Sequence, residues 1–133
     1  MRVLLTSVLI GLLAVPFAHG QDAPVSSATV MDISPMELSD MLKTSKPHVL
    51  DCNEEENFEW AHVPGAQLVA YDQITPAVLP ADRSATVVFY CYSPECPAAG
   101  MAAQSAVKLG HTHVLLMLAG IVGWQDAGLP TEP

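Results

Sequence analysis

The sequence predicts an α/β domain, a mostly parallel sheet with helices on both faces. Two observations carry this. Short apolar runs, HVLDC (48–52), TVVFY (86–90) and HVLLML (113–118), alternate with segments of helical spacing. That alternation is the mark of strand–helix–strand units, whose crossovers are right-handed. The first of these runs ends on Cys52, and the second leads directly into Cys91. Ligand sites in such sheets lie beyond the carboxyl ends of the strands, so both thiols stand where chemistry is expected.

The elements follow in order. Ala28 to Ile33 reads as a short strand. Ser34-Pro35-Met36-Glu37 announces a helix, with Ser34 as N-cap, Pro35 at the first helical position and Glu37 completing a capping box. Met36, Leu38, Met41 and Leu42 supply its apolar spacing, with the methionines expected in the core. Lys46-Pro47 ends it, and His48 to Cys52 is a buried strand. Asp51 is expected to cap the helix that follows. Asn53 to Ala61 starts acidic (Glu54, Glu55, Glu56), which complements a helix dipole. His62 to Ala66 is a turn in which His62 is expected to make a structural hydrogen bond, and Gln67 to Ala70 a short strand. Tyr71 to Ser84 is a looser connection with one helical turn near Ile74 to Leu79. Thr86 to Tyr90 is the central buried strand. Pro97 to Leu109 is a helix with a small-residue face (Ala99, Ala102, Ala103, Ala106), closed by Gly110. His113 to Leu118 is the next strand, and Ile121 to Ala127 a last short helix anchored by Trp124. His111 and His113 are expected on one strand face at the surface.

A chain of 133 residues with formal charge −9 suggests one acidic domain. Such a balance argues against nucleic acid and anionic lipid as partners. Met1 to Gly20 reads as a signal peptide: Arg2 at the start, an apolar run from Val3 to Phe17, and small residues at Ala18 and Gly20. The run is short for a membrane span, which needs roughly 20 apolar residues; an uncleaved anchor is the alternative. No stable membrane insertion is expected after cleavage. Residues 21–27 are expected as a flexible lead-in and 28–133 as the domain. Export, most simply to a periplasm, is the expected location.

Three cysteines, Cys52, Cys91 and Cys96, lie beyond the leader. An odd number leaves one thiol unpaired, and three do not make a disulfide scaffold. Cys52 is expected as buried filler. The stretch TVVFYCYSPECPAAG (86–100) reads as strand, thiol-bearing loop and helix. A helix N-terminus presents free N–H groups and a positive dipole end, which favours the reactive thiolate. Cys96 before Pro97 reads either as an N-cap and second reactive thiol or as filler at the loop base.

Three segments resemble the rhodanese-like family: VLDCNEEENFEWAHVPGA, VVFYC with its loop and Ala-rich helix, and GHTHVLLMLAGIVGWQDAGLP. The resemblance implies a five-stranded parallel sheet flanked by helices. It also implies that Cys91 is a nucleophile that carries sulfane sulfur as a persulfide, in a loop whose inward N–H groups stabilise the anion. As a functional partner Cys96 then reads as a thiol that resolves this persulfide or forms a disulfide with Cys91, the alternative being filler at the loop base. No cofactor and no metal are implied; the partners are a sulfur donor and a thiol acceptor.

The loop Cys91-Tyr92-Ser93-Pro94-Glu95-Cys96 departs from family members that use thiosulfate, which usually place Arg, Lys or Gly within it. Here it has no cation and one anion, Glu95, which raises the pKa of a nearby thiol. Pro94 removes one donor. Asn53 and Cys96 stand where the family often has Arg, and Ala119 where it has the first of two glycines. A polysulfide, persulfide or protein donor is therefore expected in preference to thiosulfate. Two other functions stay open: thiol–disulfide exchange through Cys91 and Cys96, and a non-catalytic module that binds a partner or copper(I) through both thiols.

Overall fold

The computed structural model describes residues 28–133; the expected leader (1–20) and lead-in (21–27) lie outside them. Five strands and four helices alternate: β1 (Met31–Asp32), α1 (Pro35–Thr44), β2 (His48–Asp51), α2 (Glu55–Trp60), β3 (Gln67–Leu68), β4 (Val87–Tyr90), α3 (Ala98–Lys108), β5 (Val114–Met117) and α4 (Gly120–Asp126). The sheet order is β1-β5-β4-β2-β3, and every pairing is parallel. This is the expected α/β architecture, with β4 in the middle.

The two faces of β4 explain its composition. Val87 and Phe89 point into one core with Cys91, Cys52 and the alanines of α3. Val88 and Tyr90 point into the other, with Leu38 of α1 and Ile121 and Trp124 of α4. A strand covered on both faces has no polar side, so it reads as a continuous apolar run. Each fully buried Val or Phe contributes about 1.5–3 kcal/mol. The buried stripe of α3, Ala99, Ala102, Ala103 and Ala106, lets that helix lie close on the sheet.

The caps behave as the sequence predicts in α1. Ser34 Oγ accepts from Glu37 N–H, and the Glu37 carboxylate accepts from Ser34 N–H at 2.9 Å. Of the apolar positions of α1, Leu38 is fully buried, whereas Met36 is exposed and is no core residue. Met36 sits at the first turn, on the side of α1 away from the sheet. At the end of α3, Gly110 (φ +95°) and His111 donate to the carbonyls of Val107 and Ala106. That is a Schellman closure.

The Schellman turn corrects the reading of the two histidines. β5 starts only at Val114, so His111 is no strand residue. His111 follows the glycine, tucks against the end of α3 and is 3% exposed, while His113 is exposed. Two other expectations shorten. The edge strands β1 and β3 have two residues each, because only one neighbour holds them. The connection 71–84 has its expected turn near 74–79 confined to Val78 and Leu79 N–H groups donating to Thr75 O, with further turns closed by Gln73 N–H to Ala70 O and Ala85 N–H to Asp82 O.

The chain's end closes over the turn at 62–66. His62 and Glu132 exchange backbone hydrogen bonds, and Gly65 N–H donates to the Glu132 carboxylate at 3.1 Å. His62 Nδ1 lies 2.8 Å from Phe58 O, and its ring stacks on Phe58 with centroids 3.8 Å apart. The structural hydrogen bond expected of His62 is present. Trp124 Nε1–H donates to Pro130 O at 2.8 Å, which satisfies the polar end of a buried indole. Among the described residues no helix is long and apolar enough to cross a membrane.

Candidate active site

Cys91 follows β4 directly, at the carboxyl edge of the central strand, and is 5% exposed. Its sulfur is bonded to Cys96, with Cα atoms 6.2 Å apart. The loop Tyr92-Ser93-Pro94-Glu95 between them curls over a cavity of about 110 Å³, lined by both cysteines, Ser93, Pro94, Gly100 and Leu116 among others. Behind the Cys91 sulfur stand two oxygens, Cys52 O at 3.7 Å and Asn53 Oδ1 at 3.9 Å.

The helix α4 fixes the loop from below. Ile121 N–H donates to Cys91 O at 2.9 Å, and Val122 N–H to Tyr92 O at 3.0 Å. Gly120, at φ +66°, permits this approach. A side chain there would overlap the Tyr92 carbonyl and reach within 2.7 Å of Ser93 N. Cys91 is therefore held by two elements, the end of β4 and the start of α4.

The expected ring of inward N–H donors is reduced in this loop. Pro94 and Pro97 have no N–H, and Cys96 N–H donates to Ser93 O at 3.0 Å. Tyr92, Ser93 and Glu95 carry the loop N–H groups that are left. Helix α3 starts at Ala98 with Pro97 as its N-cap, so Cys96 is not the cap residue. Cys96 lies one residue earlier and is half-buried. Glu95 is exposed and accepts from Ser93 Oγ at 2.7 Å. That hydrogen bond holds its carboxyl below the usual range, so Glu95 is an anion on the loop rim. Glu95 does not line the cavity.

Under the loop lies a buried polar network in which Asp51 is not the helix cap expected of it. Asp51 ends β2 with no exposure and does not cap α2, whose N-cap is Glu54 without a side-chain hydrogen bond. The Asp51 carboxylate instead accepts from Asn53 N–H (2.8 Å), Asn53 Nδ2–H (2.7 Å) and the Tyr90 hydroxyl. The Tyr90 hydroxyl in turn accepts from Val63 N–H at 3.0 Å. Burial pushes the Asp51 carboxyl up, against the lowering effect of its hydrogen-bond donors. The Tyr90 phenol is also pushed up, by burial first and by Asp51 next, and stays the donor of the pair. The network ties the ends of β2 and β4 together and holds Asn53 beside Cys91.

A signal for the network was present in the sequence. A buried tyrosine needs a partner for its hydroxyl, and Asp51 ends the only other run of comparable burial ahead of a thiol. Cys52 itself is buried, as expected, and not bonded. Burial, followed by the nearby Asp51 charge, pushes its thiol up to about 12. Among the described residues no three His, Cys, Asp or Glu side chains converge as metal ligands.

A cysteine that leaves the central strand of a parallel sheet and opens a short loop clamped by the next helices defines an α/β domain with a cysteine-bearing loop at the carboxyl edge of its sheet. The chain belongs to the rhodanese-like domain family, whose model matches residues 34–127. It is 30% identical over 104 residues to the thiosulfate sulfurtransferase GlpE of Actinobacillus succinogenes, covering 76% of this chain and 89% of that one. It is 27% identical over 106 residues to the uncharacterised protein slr1261 of Synechocystis, covering 80% of this chain but spanning only 58% of that relative's length. Among solved structures, the BH2092 protein of Bacillus halodurans shares the fold with a TM-score of 0.69 at 23% identity, over 77% of this chain and 76% of that one. A thiosulfate sulfurtransferase of Pseudomonas aeruginosa gives a TM-score of 0.66 at 32% identity, over 80% of this chain and 20% of the larger protein.

Proposed function

We propose that this protein is a sulfurtransferase or persulfide carrier with Cys91 as its nucleophile. The observation that carries the reading is the position of Cys91. It lies at the carboxyl edge of the central strand, opens the loop and faces a cavity, in a family that includes sulfurtransferases. In the reduced protein the Cys91 thiolate attacks the outer sulfur of a donor persulfide, the donor thiolate leaves, and Cys91 holds the sulfur as a persulfide. A thiol acceptor then removes it.

A persulfide, polysulfide or protein donor is preferred to thiosulfate because the loop offers no cation for the sulfonate end of thiosulfate, although two relatives bear the thiosulfate name. The loop has no cation, and its one charged residue is the anion Glu95.

The Cys91–Cys96 bond favours a second reading, thiol–disulfide exchange. The leader read in residues 1–20 fits a compartment where such a bond persists. Copper(I) binding needs both sulfurs as free thiolates, so it concerns the reduced protein alone.

Mass spectrometry of the reduced protein after exposure to thiosulfate, polysulfide or glutathione persulfide tests the reading. A sulfur adduct on Cys91, lost in Cys91→Ser, supports it. If no donor leaves sulfur on Cys91 or yields sulfide through it, while the pair still exchanges with small disulfides, the second reading replaces it.

A further inference from the structure

We propose that this loop reduces sulfane sulfur to sulfide: Cys96 resolves the Cys91 persulfide by attacking its inner sulfur and expelling hydrosulfide. The inference rests on Cys91 being the sulfur-accepting residue.

Three observations carry it. First, the two sulfurs are bonded within a five-residue separation, so the Cys96 sulfur reaches Cys91 Sγ in the folded loop. Second, the inner sulfur is shielded from bulk thiols and open to Cys96. Cys91 is almost fully buried and backed by Cys52 O and Asn53 Oδ1, while half-buried Cys96 lines the same cavity. An intramolecular thiol already in place outcompetes an external one by effective concentration. Third, the two sulfurs differ in their surroundings. Cys96 lies two residues before the eleven-residue helix α3, at its positive dipole end. The cavity lining has no cationic side chain to retain a sulfur anion once it is expelled.

The step balances. The Cys96 thiolate attacks Cys91 Sγ, and the bond between Sγ and the outer sulfur breaks. The electron pair of that bond leaves with the outer sulfur of the protonated persulfide, Cys91–S–SH, which departs as hydrosulfide and keeps that proton, while the proton given up by the Cys96 thiol goes to solvent. The Cys91–Cys96 disulfide is the oxidised product, and one sulfane sulfur has gained two electrons. The cycle closes when an external dithiol reduces the disulfide. Its first attack falls on Cys96, the more accessible sulfur, and Cys91 is released as the leaving thiolate. The reaction therefore takes a low-molecular-weight or protein persulfide and a dithiol, and produces sulfide.

Glutathione persulfide is the probe, because its transfer to Cys91 releases glutathione and no sulfide. The reduced protein, freed of reductant, is mixed with it and followed by sulfide assay and intact mass, with Cys91→Ser as the background control. The expected result is one sulfide per chain and a final mass two hydrogens below the reduced protein. Cys96→Ser should instead hold one extra sulfur on Cys91 and release no sulfide above background until an external thiol is added. The proposal is overturned if wild type keeps the extra sulfur as Cys96→Ser does. It is also overturned if the sulfur migrates to Cys96 without sulfide release. If neither wild type nor Cys96→Ser takes up sulfur or yields sulfide, the sulfur-accepting role of Cys91 fails as well. The wild-type readings alone decide the matter should Cys96→Ser not fold.

Discussion

Gly120 lies against the carbonyl of Tyr92 so closely that no side chain fits between them. This contact lets the first turn of α4 donate Ile121 and Val122 N–H groups to the loop carbonyls of Cys91 and Tyr92. Gly120→Ala meets both a positive φ and a backbone overlap. The loop must move away from α4, at a cost of about 1–3 kcal/mol. We expect a lower urea midpoint together with slower sulfur uptake by Cys91. Loss of stability with unchanged uptake would show that α4 supports the fold and not the loop.

Tyr90→Phe removes one donor from the buried Asp51 carboxylate and the acceptor of Val63 N–H. Leaving such groups unpaired costs about 1–3 kcal/mol. Denaturant unfolding checks this. Asp51→Asn in the same background should recover part of the loss, because a neutral amide is cheaper to bury than a carboxylate short of a donor.

His111 makes stability depend on acid. Burial, followed by the nearby Arg83 charge, holds its imidazole below the usual range, with Asp82 opposing. Among the described residues its Nδ1 has no hydrogen-bond partner. The folded protein favours the neutral ring, so the unfolded chain takes up the proton first as pH falls. The stabilisation is complete above about pH 6.5 and is lost as pH falls through the lowered folded value. Urea midpoints measured between about pH 7.5 and 5 should fall, and His111→Leu should flatten that part of the slope.

Thiol reactivity should separate the three cysteines. Cys52 is buried and its thiol is pushed up to about 12, so an alkylating reagent should leave it unmodified in the folded protein and label it in denaturant. The oxidised protein should show no reactive thiol before unfolding, and reduction should expose Cys96 first. Labelling of Cys52 in the native protein at neutral pH would contradict its burial.

A loop cation should widen donor use. Pro94→Arg replaces an exposed residue on the cavity rim, restores one N–H and adds a positive charge. At ~5 Å in a water-like medium that charge is worth roughly 1 kcal/mol, or about fivefold in kcat/KM for thiosulfate. Steady-state kinetics with thiosulfate should show the gain at low ionic strength, and added salt should shrink it. A gain unchanged by salt would point to loop geometry and away from charge.

The amino-acid sequence by itself determined the class of fold, the order of its elements and the place of Cys91. Periodicity and caps are local: a run buried on both faces, a capping box at Ser34 and Glu37, and a glycine after α3 are written in neighbouring residues. The tertiary structure decided what depends on meetings between distant segments. Asp51 looked like a helix cap until Tyr90, 39 positions away, took its second oxygen. His111 looked like a surface strand residue until the Schellman turn tucked it under α3. Cys96 looked like an N-cap or a second thiol, and only the path of the loop brought its sulfur to Cys91. Side-chain partners are set by which strand ends lie side by side, and that adjacency comes from the order β1-β5-β4-β2-β3, which no local pattern contains.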